Sequence, residues 1–301
     1  MAETLPVWIT VDGAEPSPAL EAFLQEVSPY GVILFARHLK SPEQVRALCA
    51  ALRAAGAAAP KIALDQEGGR VSRLRELGFA FPGAAELGGD PGRARALARE
   101  QGGALADLGF DVDFAPVADL GPAAPGTGLE GRCYGDDPRT VTACCAAFLE
   151  GLAAAGVAGC LKHFPGLGGS LVDSHRSLPR VSGDRTAREP HLAPFAALAA
   201  AAPYVMTAHG RYDFLAQAAP SSLNPETYLL LRALGFAGRS VTDDLNMGAV
   251  KGEGTLGERA AASLRAGADL ALWVGPERET VEACAAVRAA GPDCARATGG
   301  T

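Results

Sequence analysis

Short apolar runs recur along the chain and alternate with longer stretches of helical period. The runs are Val7–Val11, Gly31–Phe35, Lys61–Asp65, Val112–Val117, Gly159–His163, Tyr204–His209, Ser240–Asp244 and Leu270–Val274. Most are nearly continuous rather than alternating, the pattern of parallel strands buried on both faces. Between them, Pro42 to Ala55 sets Val45, Leu48, Cys49 and Leu52 on one helical face, with Ser41 as N-cap. Pro138 to Ala154 and Glu258 to Ala266 read the same way. Eight such units predict an α/β fold, a single (β/α)8 TIM barrel occupying residues 1–301 as one domain. The chain ends soon after the eighth strand, so a short last helix is expected, with the tail after about residue 290 frayed. A doubly wound open sheet is the alternative. It wants a glycine-rich phosphate loop after an early strand, and Asp12-Gly13-Ala14-Glu15-Pro16 does not fit.

Composition narrows the function classes. The net charge of −7 and the lack of a Lys/Arg-rich run argue against nucleic-acid binding. No basic segment followed by an apolar stretch opens the chain, and no apolar run reaches membrane-spanning length. The cysteines are Cys49, Cys133, Cys144, Cys145, Cys160, Cys284 and Cys294, at spacings that match neither a zinc site nor a CxxC pair. An odd number without an export signal reads as reduced thiols in a cytoplasmic protein. His38 and His191 read as surface residues.

The chemistry gathers where strands end. Asp65, Asp119, Lys162, His163, His209, Asp243 and Asp244 all fall there, and in a barrel these ends converge on one pocket. Two Gly/Pro-containing loops, Gly121 to Gly131 and Leu167 to Pro190, would overhang that mouth. The most informative stretch runs from Lys162 through Pro165-Gly166-Leu167-Gly168-Gly169 to Asp173-Ser174-His175. An Asp beside a His can fix the imidazole in one tautomer, as an acid/base near neutral pH requires. Acids, cations and imidazoles around one pocket suit a polyhydroxylated substrate. Carboxylates and Arg/Lys fork onto vicinal hydroxyls, and one carboxylate can attack an anomeric carbon.

From about Gly31 to about Val274 the chain resembles glycoside hydrolase family 3, in its single-domain β-N-acetylhexosaminidase form. The resemblance rests on Gly31-Val32-Ile33-Leu34-Phe35, Asp65-Gln66-Glu67-Gly68-Gly69-Arg70-Val71, Asp113-Phe114-Ala115-Pro116-Val117-Ala118-Asp119 and Arg132 with Tyr134-Gly135-Asp136-Asp137-Pro138. It continues through the Lys162–His175 stretch, Met206-Thr207-Ala208-His209 and Thr242-Asp243-Asp244-Leu245-Asn246-Met247. It implies that Asp243 is a nucleophile forming a glycosyl ester, and that His175 is the acid/base with Asp173 as its partner. It implies that Asp65, Arg73, Arg132, Lys162 and His163 grip an N-acetylglucosamine unit. It implies no cofactor and no metal. The expected partner is a small carbohydrate, a muropeptide met in peptidoglycan recycling, with no nucleic acid and no membrane. A monomer is expected. The chain departs from the family pattern at Leu167, a position commonly polar or basic, and at Gly169 and Gly210. These changes bear on substrate preference and loop dynamics. A phosphorylase, a β-glucosidase of the same family and a catalytically silent sugar-binding barrel are the alternatives.

Overall fold

Parallel neighbours cannot be joined by a tight turn, so each crossover must carry a helix or a long loop. A computed structural model describes residues 4–55, 59–123 and 125–291. Its elements in chain order are β1 (Leu5–Ile9), α1 (Pro18–Val27), β2 (Pro29–Leu34), α2 (Pro42–Ala55) and β3 (Lys61–Leu64). A small hairpin, β4 (Gln66–Gly68) and β5 (Val71–Ser72), precedes α3 (Pro91–Leu108), β6 (Val112–Asp113), α4 (Pro138–Ala154) and β7 (Ala158–Phe164). Next come β8 (Arg180–Val181), α5 (Arg185–Leu198), β9 (Tyr204–Thr207), β10 (Arg211–Tyr212) and α6 (Pro225–Ala233). The last four are β11 (Arg239–Thr242), α7 (Leu256–Ala266), β12 (Ala271–Leu272) and α8 (Glu277–Ala289).

Eight of these strands form one parallel sheet in the order β11-β9-β7-β6-β3-β2-β1-β12. Its ends meet: Val241 bridges Leu270 in parallel, and Thr242 Oγ1 accepts the Leu272 N–H at 2.9 Å. The result is a TIM barrel, and the open-sheet alternative does not apply. All eight apolar runs seen in the sequence contribute a strand. The Val112–Val117 run is a strand only over Val112–Asp113; beyond Pro116 it rejoins the sheet at the Val117–Lys162 bridge.

Alternation sorts each strand's side chains. Trp8, Ile33, Phe114, Met206 and Leu272 fill the barrel interior, while Val7, Ile9, Val32 and Leu34 face the helices. Trp8 and Phe114 meet edge to face at 5.2 Å. Burial of each such ring stabilises by roughly 2–3 kcal/mol. Gly31 makes room for the indole, since a Cβ there would lie 2.3 Å from the Trp8 ring. Five helices begin with a cap–proline pair: Ser17-Pro18, Ser41-Pro42, Asp90-Pro91, Asp137-Pro138 and Asn224-Pro225. Each cap side chain accepts a first-turn N–H, and proline costs nothing where that N–H has no helical partner.

Four expectations need revision. The last helix is not short: α8 has 13 residues, more than the 9 of α6. The loop expected to run to Pro190 ends earlier, because Asp184 caps α5 and the helix runs through Pro190 and Pro194. His38 is fully buried: its Nδ1 accepts the Phe35 N–H and its Nε2–H donates to the Val11 carbonyl. His191 is half-buried with its Nδ1 enclosed against the loop at Gly168. Burial pushes both imidazoles down to about 4, so both are neutral at neutral pH. The six cysteines among the described residues are buried and free; Cys294 and the tail expected to fray lie outside the described residues, apart from Gly291. Among the described residues no helix is long and apolar enough to cross a membrane.

Candidate active site

The C-terminal strand ends carry a buried charge network. Asp65 follows β3, and Glu67 lies two residues on in β4. Lys162 of β7 is 2 % exposed; its Nζ lies 2.9 Å from Asp65 Oδ1 and 2.6 Å from Glu67 Oε1. Arg132 forks onto Glu67, donating from Nε to Oε2 at 2.7 Å and from Nη2 to Oε1 at 2.8 Å. Burial alone would raise the Glu67 carboxyl. Arg132 and Lys162 outweigh it and hold the group well below the usual carboxylate range. Burial likewise opposes the charge on Lys162, but Asp65 and Glu67 push its ammonium above the ordinary value. Both cations therefore stay charged.

Two imidazoles share one arrangement. Asp119, fully buried, accepts His163 Nδ1–H at 2.7 Å and the Leu167 N–H at 2.6 Å. His163 Nε2 is thereby turned toward Arg132, whose Nη2 is 3.5 Å away. On the loop after β7, Asp173 Oδ1 accepts both the His175 N–H at 2.9 Å and its Nδ1–H at 2.8 Å. The His175 side chain is 65 % exposed, and its Nε2 is left for proton transfer. Burial opposes ionisation of Asp173, yet the two His175 donors hold its carboxyl below the ordinary value.

The β11 end presents two carboxylates whose environments push them apart. Asp243 Oδ1 accepts the Asp244 N–H at 2.8 Å. Burial would raise Asp243, but the attraction of His163 and His209, that N–H and His175 bring it below the usual value. Asp244 Oδ1 is occupied by the N–H groups of Asn246 at 2.8 Å and Val274 at 2.9 Å. Burial, with the Asp243 charge beside it, pushes the Asp244 carboxyl up to about 6. So Asp243 is the more acidic member of the pair, while Asp244 ties the β11 end to the residues after β12. His209 is buried beneath them. Its Nε2–H donates to the Asp244 carbonyl at 2.8 Å, and its Nδ1 pairs with the Ser222 hydroxyl at 2.7 Å.

The loop bearing Asp173 and His175 is rooted by a buried arginine. Arg188 of α5 donates to the Gly168 carbonyl at 2.9 Å and the Gly166 carbonyl at 2.6 Å, and Tyr212 donates to Gly166 as well. Leu167 packs under the loop with Val117, Leu129, Cys133 and Ala208. Here the departure from the polar family pattern is an apolar plug. Arg188→Met keeps the stem but removes both donors. It is expected to cost about 2 kcal/mol, read by chemical denaturation; wild-type stability would contradict the clamp.

A cavity of about 340 Å³ opens among these groups. Asp243, His175, Asp173, Asp65, Arg73, Arg132, Lys162 and His163, the residues singled out in the sequence, all line it. Arg73 lies 5.9 Å from the Phe35 ring centroid, and Asp65 pairs with Lys162 instead of with it. Cys133 does not line this cavity; burial raises its thiol to about 12. Among the described residues no group of three or more His, Cys, Asp or Glu is placed to hold a metal ion.

Residues 7–292 match the glycosyl hydrolase family 3 N-terminal domain. The chain belongs to glycosyl hydrolase family 3. It is a glycoside hydrolase, similar to a curated β-hexosaminidase of Stenotrophomonas maltophilia, with 38 % identity over 283 residues covering 89 % of this chain and 83 % of that one. A family 3 β-N-acetylglucosaminidase from Paenibacillus sp. superposes with a TM-score of 0.90 at 33 % identity. The match covers 98 % of this chain and 59 % of that longer one. NagZ from Neisseria gonorrhoeae, in complex with N-trifluoroacetyl-D-glucosamine, matches with a TM-score of 0.84 at 31 % identity, covering 93 % of this chain and 84 % of that one.

In this family 3 hydrolase the sequence reading passed over two residues that build the site, Glu67 and Arg188, and placed Asp119 at a strand end without giving it a role. Glu67 carries the charge network, Asp119 orients His163 and Arg188 holds the loop root. Glu67 had a signal: it stands two residues from Asp65, so both fall on one side of an extended chain. Arg188 had none, being one arginine among several on a helix.

Proposed function

We propose that this hydrolase releases terminal non-reducing β-linked N-acetylglucosamine with retention of configuration, from muropeptides of peptidoglycan turned over in the cytoplasm. One observation carries the proposal. An ionised carboxylate at a barrel strand end and an Asp-oriented imidazole on a loop line the same cavity. Similarity to proteins described as β-hexosaminidases supports the sugar assignment. We read the chain as one barrel domain acting as a monomer.

In the first step Asp243 attacks the anomeric carbon as the glycosidic C–O bond breaks. His175 Nε2 gives its proton to the leaving oxygen. In the second step His175 takes a proton from water, whose oxygen displaces Asp243 from the same carbon. Imidazole thus replaces the second carboxyl of the common two-acid arrangement. Lys162, Arg132, Arg73, His163 and Asp65 hold the sugar through its hydroxyls and acetamido group.

The test is nitrophenol release from the β-N-acetylglucosaminide and the β-glucoside across pH. Turnover of the first alone is expected, falling on both sides of a near-neutral optimum because His175 must both give and take a proton. Equal turnover of both, a flat profile, or sugar 1-phosphate formed when phosphate is added would overturn the reading.

A further inference from the structure

The two catalytic groups proposed above ride on different loops, and backbone contact joins those loops. Gly248 N–H donates to the His175 carbonyl at 3.1 Å, and Ala249 N–H donates to the Ser174 carbonyl at 3.2 Å. Both donors lie on the turn that follows Asp243, a turn closed by the Met247 N–H on the Asp244 carbonyl at 2.9 Å. The loop's root is held by Asp119 on the Leu167 N–H and its far end by the Arg211 N–H on the Pro179 carbonyl, where β8 begins to pair with β10. Between Ser170 and Ser177 its other bonds are local. Ser170 Oγ bonds Val172, and the Asp173 carbonyl accepts Arg176 and Ser177. The loop tip packs on little, with Leu171 81 % exposed. The Arg188 clamp at the root, the β8–β10 pairing at the far end and this backbone dock between them therefore fix where His175 stands.

Gly248 is what permits the dock. A Cβ there would lie 2.6 Å from the Arg176 carbonyl oxygen and 2.8 Å from the His175 carbonyl oxygen. Those are backbone atoms and cannot rotate aside as a side-chain end can. The backbone of Gly248 is not among the glycines in the left-handed region, so alanine would meet no conformational penalty of its own there. Its requirement for glycine comes from the close approach of residues 174–176.

We infer that Gly248 is a positioning residue: it lets the acid/base loop seat on the nucleophile's own turn and so sets His175 at its working distance from Asp243. The inference rests on the roles proposed for those two residues. A methyl group at 248 displaces the His175 backbone outward while Asp243 and the sugar-gripping residues stay in place. The loss then falls on steps that need proton transfer and spares those that do not.

Leaving-group dependence reads this out. Dinitrophenolate departs without a proton, whereas phenolate needs one. For Gly248→Ala, kcat/KM on the phenyl β-N-acetylglucosaminide is expected to fall by about 10-fold or more, and on the dinitrophenyl glycoside by less than about 3-fold. Azide needs no general base. It should accelerate the variant's turnover of the dinitrophenyl substrate by attacking the anomeric carbon of the ester, releasing Asp243 and forming the β-glycosyl azide. His175→Ala should show the same pattern more strongly. Gly252→Ala, where a Cβ meets nothing within 4 Å, should behave as wild type. The ratio of the two kcat/KM values does not depend on how much enzyme is folded, so it decides even if Gly248→Ala is less stable. Equal losses on both aglycones, or none, with His175→Ala still selective, would overturn the positioning role alone. If His175→Ala is itself unselective, the acid/base assignment fails and the inference fails with it.

Discussion

Asp243→Asn is expected to reduce turnover of the β-N-acetylglucosaminide by on the order of 10⁴-fold or more, as removal of a nucleophile does elsewhere, with little change in stability. The second half follows from what surrounds the carboxylate. Among the described residues no Lys or Arg pairs with Asp243; it is drawn down by His163, His209 and His175. Its carboxylate takes the Asp244 N–H, a bond that an asparagine oxygen can still accept. Burial already pushes His209 below its ordinary value, and loss of the Asp243 charge moves it further the same way, toward the neutral form. The variant should melt near wild type and still bind N-acetylglucosamine, measured by calorimetry. Asp244→Asn should behave otherwise. It weakens the bonds to Asn246 and Val274 that join the β11 end to the residues after β12, so it should cost stability as well as activity. Residual activity in Asp243→Asn within about 10-fold of wild type would exclude it as nucleophile.

Glu67→Gln should be the most destabilising change in the site. It leaves Lys162 and Arg132, both buried, to share what Asp65 supplies. Breaking a buried ionic cluster by removing one partner costs about 3–5 kcal/mol, a fall in melting temperature on the order of 10 °C. The pH dependence gives the sign. The folded-state value of Glu67 is depressed, so its contribution is complete above its unfolded value near 4.5 and is lost as pH falls through the lower folded value. The gap in melting temperature between wild type and Glu67→Gln should be full at neutral pH and narrow in acid. A gap that is constant across that range would mean that Glu67 acts through packing rather than charge. Because both cations line the cavity proposed to hold the sugar, KM should rise as well.

Much of this was legible in the chain because two features of a barrel are local. A parallel strand buried on both faces must be apolar throughout, and a βα loop must place its polar residues at the strand's C-terminal end. Asp243 and the Lys162-His163 pair could be found that way, and Asp173 and His175 follow from their spacing. What was not legible depends on partners distant in sequence. His38 looks like a loop residue between Arg37 and Leu39, but Val11 and Phe35 supply backbone partners for both of its nitrogens and draw it inside. The start of α5 was hidden because Pro190 and Pro194 read as breakers, while the capping signal of Asp184 precedes them. Gly248 carries no local signal for glycine at all, since its backbone is ordinary. Only the approach of residues 174–176 accounts for it.

The most direct measurement is to trap the glycosyl-enzyme with a 5-fluoro-N-acetylglucosaminyl fluoride and locate the adduct by mass spectrometry of the digested protein. The account predicts one glycosyl unit on the peptide spanning Asp243, assigned by fragmentation to Asp243, and none in Asp243→Asn. An adduct on Asp244, or steady turnover of the reagent with no adduct on the protein at any time, would contradict it.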